Sequence, residues 1–159
     1  MTDLSEAEIE ALQERFHQTP LHALLGLEFV ERGDGRSVVR MPVRPEAFGS
    51  TGNLHGGAIA TLIDVAAASA AVRGSAFQPG KNTMVTADLH VRYLGRPKGD
   101  WVRAEADVER AGKSLVVVSC RVLDDEDRVI ALGDFSGMVV PLREPLSPDS
   151  VSDPEGPEL

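Results

Sequence analysis

Hydrophobic and polar positions along this chain change period several times, and each change predicts an element. SEAEIEALQERFHQ, from residue 5, places Leu4, Ile9, Leu12 and Phe16 at helical spacing. Ser5 is a candidate cap, with Glu8 as its capping-box partner. TPLHALLG follows as a short second helix, with Thr19 as cap, Pro20 at its first position and Gly26 as stop. LEFVERG and RSVVRMPV then switch to strand patterning, joined by Gly33-Asp34-Gly35 as a hairpin turn. RPEAFGSTGN is loop-like. From Gly56 to Arg73 the chain is small or apolar at nearly every position, which predicts a helix of four to five turns. After the loop GSAFQPGKN come four predicted strands: TMVTADLHVRYL, WVRAEADVERA, SLVVVSCRVLD and RVIALGDFSGMVV. In WVRAEADVERA, Val102, Ala104, Ala106 and Val108 define one face, and Arg103, Glu105, Asp107 and Glu109 a wet one.

The sum is an α+β fold: a hairpin, one long apolar helix, then a four-strand antiparallel meander with short connectors. A helix apolar on nearly every side needs cover on nearly every side. One sheet supplies one side, so either the sheet wraps the helix or a second subunit covers the rest, and both hold together.

Composition narrows the class. The 159 residues suffice for one domain, with 42% hydrophobic and 26% charged residues. The organisation expected is an acidic N-terminal helix over 1–19, a folded domain over 20–140, and an acidic tail over 141–159. That tail holds five of the ten prolines and reads as disordered. Residues 1–19 and 141–159 each carry −4 of the net −9, so the middle is nearly neutral. Such a chain lacks the basic excess that nucleic-acid binding requires. Its acidic start is unlike a secretory signal, and Asp64 interrupts the longest apolar run, which argues against a membrane span. A cytoplasmic protein is the expectation. With Cys120 as its one cysteine, the chain holds neither an internal disulfide nor a multi-thiolate zinc site, and no metal site is expected.

The chemistry concentrates in GNLHGGAIATLIDVAAASAA, residues 52–71. In structural terms, Gly56-Gly57 permits a tight turn, His55 caps it, and Asp64 is satisfied by a neighbouring hydroxyl such as that of Thr61. In functional terms, an unpaired carboxylate inside an apolar helix is costly unless it is hydrogen-bonded or protonated, which makes it expensive for mere packing. The free N–H groups at a helix start stabilise developing negative charge, and glycines let a substrate approach the backbone. A carboxylate plus an oxyanion donor are the two parts of an acyl-transfer site. Gly56 and Asp64 are eight residues apart, roughly 12 Å along a helix, so they cannot grip one carbonyl within one chain. Two such helices packed antiparallel about a two-fold axis would bring Gly56 of one against Asp64 of the other, giving two composite sites per dimer.

The run G-x-L-H-G-G, with an acid nine residues after the His on an apolar helix, resembles the hotdog-fold acyl-CoA thioesterases, in particular the phenylacetate-degradation (PaaI-like) group. VTADLHVRYLGRPKGD and ERAGKSLVVVSCRVLDDEDRVIALG are similar to the same family's central strands, so the resemblance covers roughly residues 20–140. It implies an antiparallel sheet wrapped around a long central helix, and hydrolysis of an acyl-CoA to free acid and coenzyme A, with no cofactor beyond the coenzyme A of the substrate. It also implies a homodimer or a dimer of dimers (a homotetramer). By position, Gly56 would donate its N–H to the thioester carbonyl and Asp64 would act as general base or nucleophile. His55 would orient the site, and Thr86 would help position water or the carboxylate. Gly57 and Asn53 would lie against substrate. Arg92 and Lys113, with Arg96, Lys98 and Arg110 as further candidates, would meet the coenzyme A phosphates; each is otherwise an ordinary surface cation. The chain departs from the family at Gly49, six residues before His55, where many members carry Asn or Gln; Ser50 or Asn53 are the candidate replacements.

Two other classes stand beside this one. A non-catalytic acyl-CoA-binding hotdog domain would have no need of Asp64, although Gly49 suits it. A hotdog hydratase would need a His–acid spacing that histidines 17, 22, 55 and 90 do not supply. Asp88 and His90, on the expected strand face of Thr86, read as interface residues. His17, His22, Cys120 and Trp101 read as packing or surface residues.

Overall fold

Helices α1 (Glu6–Gln18) and α2 (Pro20–Leu25) open the computed structural model, which describes residues 6–142. The Ser5–Glu8 capping box, the Leu4–Ile9–Leu12 stripe and the disordered-tail reading from residue 143 onward lie outside the described residues. Helix α2 stops where the sequence places its stop. Gly26 adopts a left-handed φ of 64°, and its N–H returns to the carbonyl of Ala23. Helix α1 is fixed to the body through Phe16, whose ring centroid lies 4.3 Å from that of Phe29.

Strands β1 (Glu28–Gly33) and β2 (Arg36–Pro42) form the predicted hairpin, and a 3₁₀ turn (Pro45–Ala47) leads through a loop to α3 (Gly56–Arg73). Strands β3 (Asn82–Tyr93), β4 (Trp101–Ala111), β5 (Leu115–Asp124) and β6 (Val129–Pro141) follow. All pairings are antiparallel, in the order β1-β2-β4-β5-β6-β3. The expected four-strand meander is therefore three strands long. Strand β3 pairs with β6, not β4, and β2 takes the edge of β4 instead. A short connector does not force neighbours here. The stretch between β3 and β4 has seven residues and reaches about 23 Å when extended, whereas three strand spacings need about 14 Å. Strands β3 and β4 also run antiparallel across the two strands between them, so the connector stays at one end of the sheet.

Helix α3 touches all six strands and is the centre of the core. Ile59, Leu62 and Ile63 fill its first half, while Ala66, Ala67, Ala70 and Ala71 let its second half lie close to the sheet. Gly133 on β6 serves the same closeness, since a Cβ there would come within 2.5 Å of Ile63 Cγ2. By length and composition alone this 18-residue helix, of mean hydropathy 1.3, matches a membrane-crossing segment despite Asp64, contrary to the sequence expectation. In the fold its Ile59, Leu62, Ile63 and alanine face is buried against the sheet. On β4, Val102, Ala104 and Ala106 alternate inward as predicted. Cys120 is a core residue of β5, and burial, with smaller contributions from Asp107 and Glu105, pushes its thiol up to about 12, which removes it as a nucleophile.

One buried acid escaped the sequence reading. Asp124, at the end of β5, accepts the backbone N–H groups of Lys98, Glu126 and Arg128 and the guanidinium of Arg128 at 2.6 Å. Burial alone would raise its pKa. The N–H of Lys98, the Arg128 side chain and the other two N–H groups outweigh burial and hold it well below the usual carboxylate range. This knot ties the β5–β6 turn to the connector that precedes β4.

Candidate active site

The loop before α3 is anchored on both sides. His55 N–H donates to Ala47 O at 2.8 Å, Gly49 N–H to Asn53 O at 2.7 Å, and Phe48 and Leu54 form an isolated bridge. The chain thus arrives at His55 already extended (φ −63°, ψ 134°), the conformation of an N-cap. His55 Nδ1 accepts the N–H of Gly57 at 2.8 Å, while His55 O accepts from Ala58 and Ile59. Of the first-turn donors of α3, Gly56 N–H is the one with no acceptor among the described residues.

Both glycines are set by space. A Cβ on Gly57 would come 2.9 Å from His55 Nδ1, and one on Gly56 would stand 3.3 Å from the Tyr93 hydroxyl. Tyr93 is a site residue the sequence reading missed. Its hydroxyl donates to Gly56 O at 2.9 Å and pins the helix start to the end of β3. Its signal was faint: it is the chain's single tyrosine, in a strand otherwise read for its threonine. Gly49 lies against the His55 ring, with a Cβ position 3.3 Å from Cδ2. Neither candidate fills the missing polar role there within the chain. Ser50 is exposed, and the Asn53 amide donates back to Thr51, as a turn residue does.

Asp64 lies two turns further along α3. Its Oδ1 accepts from Thr86 Oγ1 at 2.8 Å, and no second donor reaches it among the described residues. The neighbouring-hydroxyl expectation therefore holds in kind and fails in identity. Thr61 is one turn away on the same helix and donates to Gly57 O instead. Nor is Asp64 sealed in the core, as an acid in so apolar a run suggested. It is partly exposed, on the wall of a cavity.

Thr86 owes its aim to a β-bulge. The β3–β6 register slips between Thr86 and Asp88, leaving Ala87 as the extra residue. Before the bulge Met84 packs on the core; after it Leu89 and Val91 do. Asp88 and His90 therefore lie on the opposite face from Thr86, contrary to the shared face that strict alternation predicts. His90 instead approaches Asp134 (3.7 Å), which also accepts Arg92 Nη1 at 3.0 Å. Arg92 is thus already paired. Lys113 is exposed in the β4–β5 turn, whose Gly112 shares a cleft with Gly74 and Ser75 past the end of α3. The structure brings together His55, Gly56, Gly57 and Asn53 at one end, and Asp64 with Thr86 mid-helix. It does not bring Arg92 or Lys113 to either group.

The cavity beside Asp64 measures about 470 Å³. Val65, Ala68 and Val72 of α3 wall it, with Phe16, Phe29, Phe77 and Met84 as its other apolar lining, and Asp64, Thr86, Ser69, Thr83 and four basic residues (Arg15, His22, Arg32 and Arg73) complete the wall. Among the described residues no cluster of three or more His, Cys, Asp or Glu side chains is placed to hold a metal ion.

Residues 51–131, from the His55 loop through α3 and across the sheet, match the thioesterase superfamily. The chain belongs to that superfamily. A putative esterase of Halobacterium salinarum is 34% identical to this thioesterase over 110 residues, covering 67% of this chain and 72% of the relative. Human acyl-coenzyme A thioesterase 13 is 27% identical over 121 residues, 75% of this chain and 84% of its own. In fold, the PaaI protein of the Escherichia coli phenylacetic acid degradation operon superposes with a TM-score of 0.72 at 20% identity, over 83% of this chain and 92% of that one. The six-strand antiparallel sheet with one long helix packed against it is the hotdog fold, and membership of the thioesterase superfamily makes this chain a thioester hydrolase.

Proposed function

We propose that this thioesterase hydrolyses acyl-CoA thioesters at a site shared by two subunits. The observation that carries the reading is Asp64: one oxygen is fixed by Thr86 at 2.8 Å and the carboxylate borders an apolar cavity of acyl-group size. In this reading Asp64 takes a proton from water as its oxygen attacks the thioester carbonyl. The C–O bond forms, negative charge collects on the carbonyl oxygen, the C–S bond breaks, and the proton passes to the departing coenzyme A thiolate. Gly56 N–H, unpaired among the described residues, receives the oxyanion, supported by the α3 dipole. His55 fixes the geometry of that donor by occupying the next N–H.

The two groups belong to different copies of the chain. Helix α3 is continuous over Gly56–Arg73, so its own Gly56 and Asp64 stay roughly 12 Å apart. Its less buried stripe, Gly57, Ala60, Thr61, Asp64 and Ala68, carries both chemical ends and small residues between them. Antiparallel contact of two such stripes, crossing near Ala60, sets Gly56 of one helix toward Asp64 of the other. The second edge of β3 has no partner strand among the described residues, and the same two-fold axis can extend the sheet there.

Free-thiol release from a panel of short-chain, long-chain and aryl acyl-CoAs tests the activity. Turnover is expected on at least one ester and a loss of about 10³-fold or more in Asp64→Asn, with the thermal transition retained. A wild-type rate in that variant sinks the assignment. Single-turnover hydrolysis in ¹⁸O-water separates the two roles of Asp64: label incorporated into the carboxylate marks it as nucleophile.

A further inference from the structure

The far end of the cavity carries charge that the proposed reaction does not use. Arg32 of β1 and Arg73 at the end of α3 both line it, and Arg15 and His22 of the N-terminal helices lie on the same wall. Arg32 lies with its guanidinium carbon 3.3 Å from the centroid of the Phe29 ring, and its Nε is buried with no hydrogen-bond partner. No acid pairs with it among the described residues. Arg73 donates to Gly33 O at 3.1 Å and holds only a long 3.9 Å contact to the exposed Asp34. Other arginines of the sheet and its turns are neutralised: Arg36, Arg40, Arg92, Arg103 and Arg128 each pair with a carboxylate. A partly desolvated guanidinium beside a second one is unfavourable without an anion. Burial, and then Arg73, lower the Arg32 pKa to about 10, in keeping with a cation that lacks its counter-charge.

We propose that the acyl group this thioesterase accepts ends in a carboxylate, held by Arg32 and Arg73. The inference rests on the acyl-CoA reading above and adds the substrate class. Asp64 and Arg73 are nine residues apart on one helix, about 14 Å along its axis, and Val65, Ala68 and Val72 between them give an apolar wall. A molecule crossing that space needs an apolar middle and an anionic end. An acyl chain or ring bearing a terminal carboxylate has both, and a guanidinium grips a carboxylate with two parallel hydrogen bonds. The coenzyme A phosphates are the other anions present on such a substrate. Their pantetheine arm carries amides, and between Asp64 and Arg73 the α3 wall offers only the Ser69 hydroxyl to pair them.

Steady-state kinetics on wild-type protein should compare adipoyl- with hexanoyl-CoA, suberoyl- with octanoyl-CoA, and a para-carboxy with a para-methyl arylacetyl-CoA. The carboxylate-terminated member of at least one pair is expected to have a kcat/KM at least about tenfold higher. In Arg32→Met, which keeps the apolar stem over Phe29, that ratio should collapse toward one; Arg32→Lys should restore part of it. Equal or better turnover of the uncharged member in every pair overturns the proposal. So does an Arg32→Met defect that raises KM equally for both members and weakens inhibition by free coenzyme A, because the cation then serves the phosphates. If no ester is hydrolysed, the acyl-CoA hydrolase reading fails separately. Calorimetric binding of the same pairs still decides the carboxylate subsite, with tighter binding of the charged member supporting it and equal binding ending it.

Discussion

Thr86 and His55 show how little at the residue scale separates a structural role from a chemical one. Each side chain makes a single hydrogen bond that any folded protein would make, Thr86 to Asp64 and His55 to Gly57 N–H. In the proposed reaction each bond also decides which group is left for substrate: the remaining Asp64 oxygen in the first case, Gly56 N–H in the second. Thr86→Ala should therefore lower kcat by about tenfold, the worth of one orienting hydrogen bond, with a much smaller change in KM. Thr86→Ser should recover most of the rate. A Thr86→Ala enzyme with unchanged kcat would leave that hydroxyl a merely structural role. Asp64, His55 and Gly56 stood out in the sequence because the His-Gly-Gly turn and the out-of-place acid conflict with their apolar surroundings, whereas Thr86 was singled out by the family resemblance alone. Tyr93 and Arg32 were not legible. A strand tyrosine and a strand arginine conflict with nothing locally, and only the tertiary fold sets one against Gly56 and the other over Phe29.

At the scale of elements, periodicity gave the helices and strands but not the neighbours. Alternation on β4 and the alanine run of α3 followed directly from side-chain period. The placement of β3 beside β6 did not, because a seven-residue connector reaches a neighbour and a distant edge equally well. The Asp124 knot was hidden for a related reason: DDED reads as a wet acidic turn, and nothing local marks its first acid as the buried one. That knot makes a pH prediction. Its pKa is depressed in the folded state, so Asp124 stabilises the fold above the ordinary carboxylate pKa of 3.8, and the contribution is lost as pH falls below that value toward the folded one. Asp124→Asn should melt several degrees lower than wild type at pH 7, with the gap narrowing below about pH 4 as the wild-type carboxylate protonates. Melting curves by circular dichroism across that range check it; a gap that stays constant with pH would place the effect elsewhere.

The whole molecule is only half of the proposed catalyst. Helix α3 presents an open stripe whose ends carry unlike chemistry, and a two-fold axis is the simplest operation that joins unlike ends of identical helices. Ala60 marks the expected crossing point. Ala60→Arg should yield a monomer by light scattering, with hydrolysis reduced at least about 100-fold while the melting transition remains. A fully active monomer would refute the shared site. Subunit mixing gives an independent check: Asp64→Ala chains combined with chains blocked at Gly56 should regain activity in mixed dimers, each of which carries one intact composite site. A second subunit was one of two expectations raised by the chain, because an all-round apolar helix exceeds what one flat sheet covers. The shape of the cavity was not, since α1, β1, α3 and β3 each contribute separate pieces of it.

The bulge at Ala87 gives β3 an unusual kind of information. What aims Thr86 at α3 while Leu89 and Val91 still pack inward is a count of residues, and no particular side chain at position 87 supplies it. Divergence at that point should therefore tolerate many substitutions and almost no change of length. Deleting the single alanine would exchange the two faces of the strand on one side of the cut. Aligned relatives would then sort by gaps in this strand more sharply than by letters, so insertion and deletion patterns become a record of which lineages kept the threonine on the carboxylate.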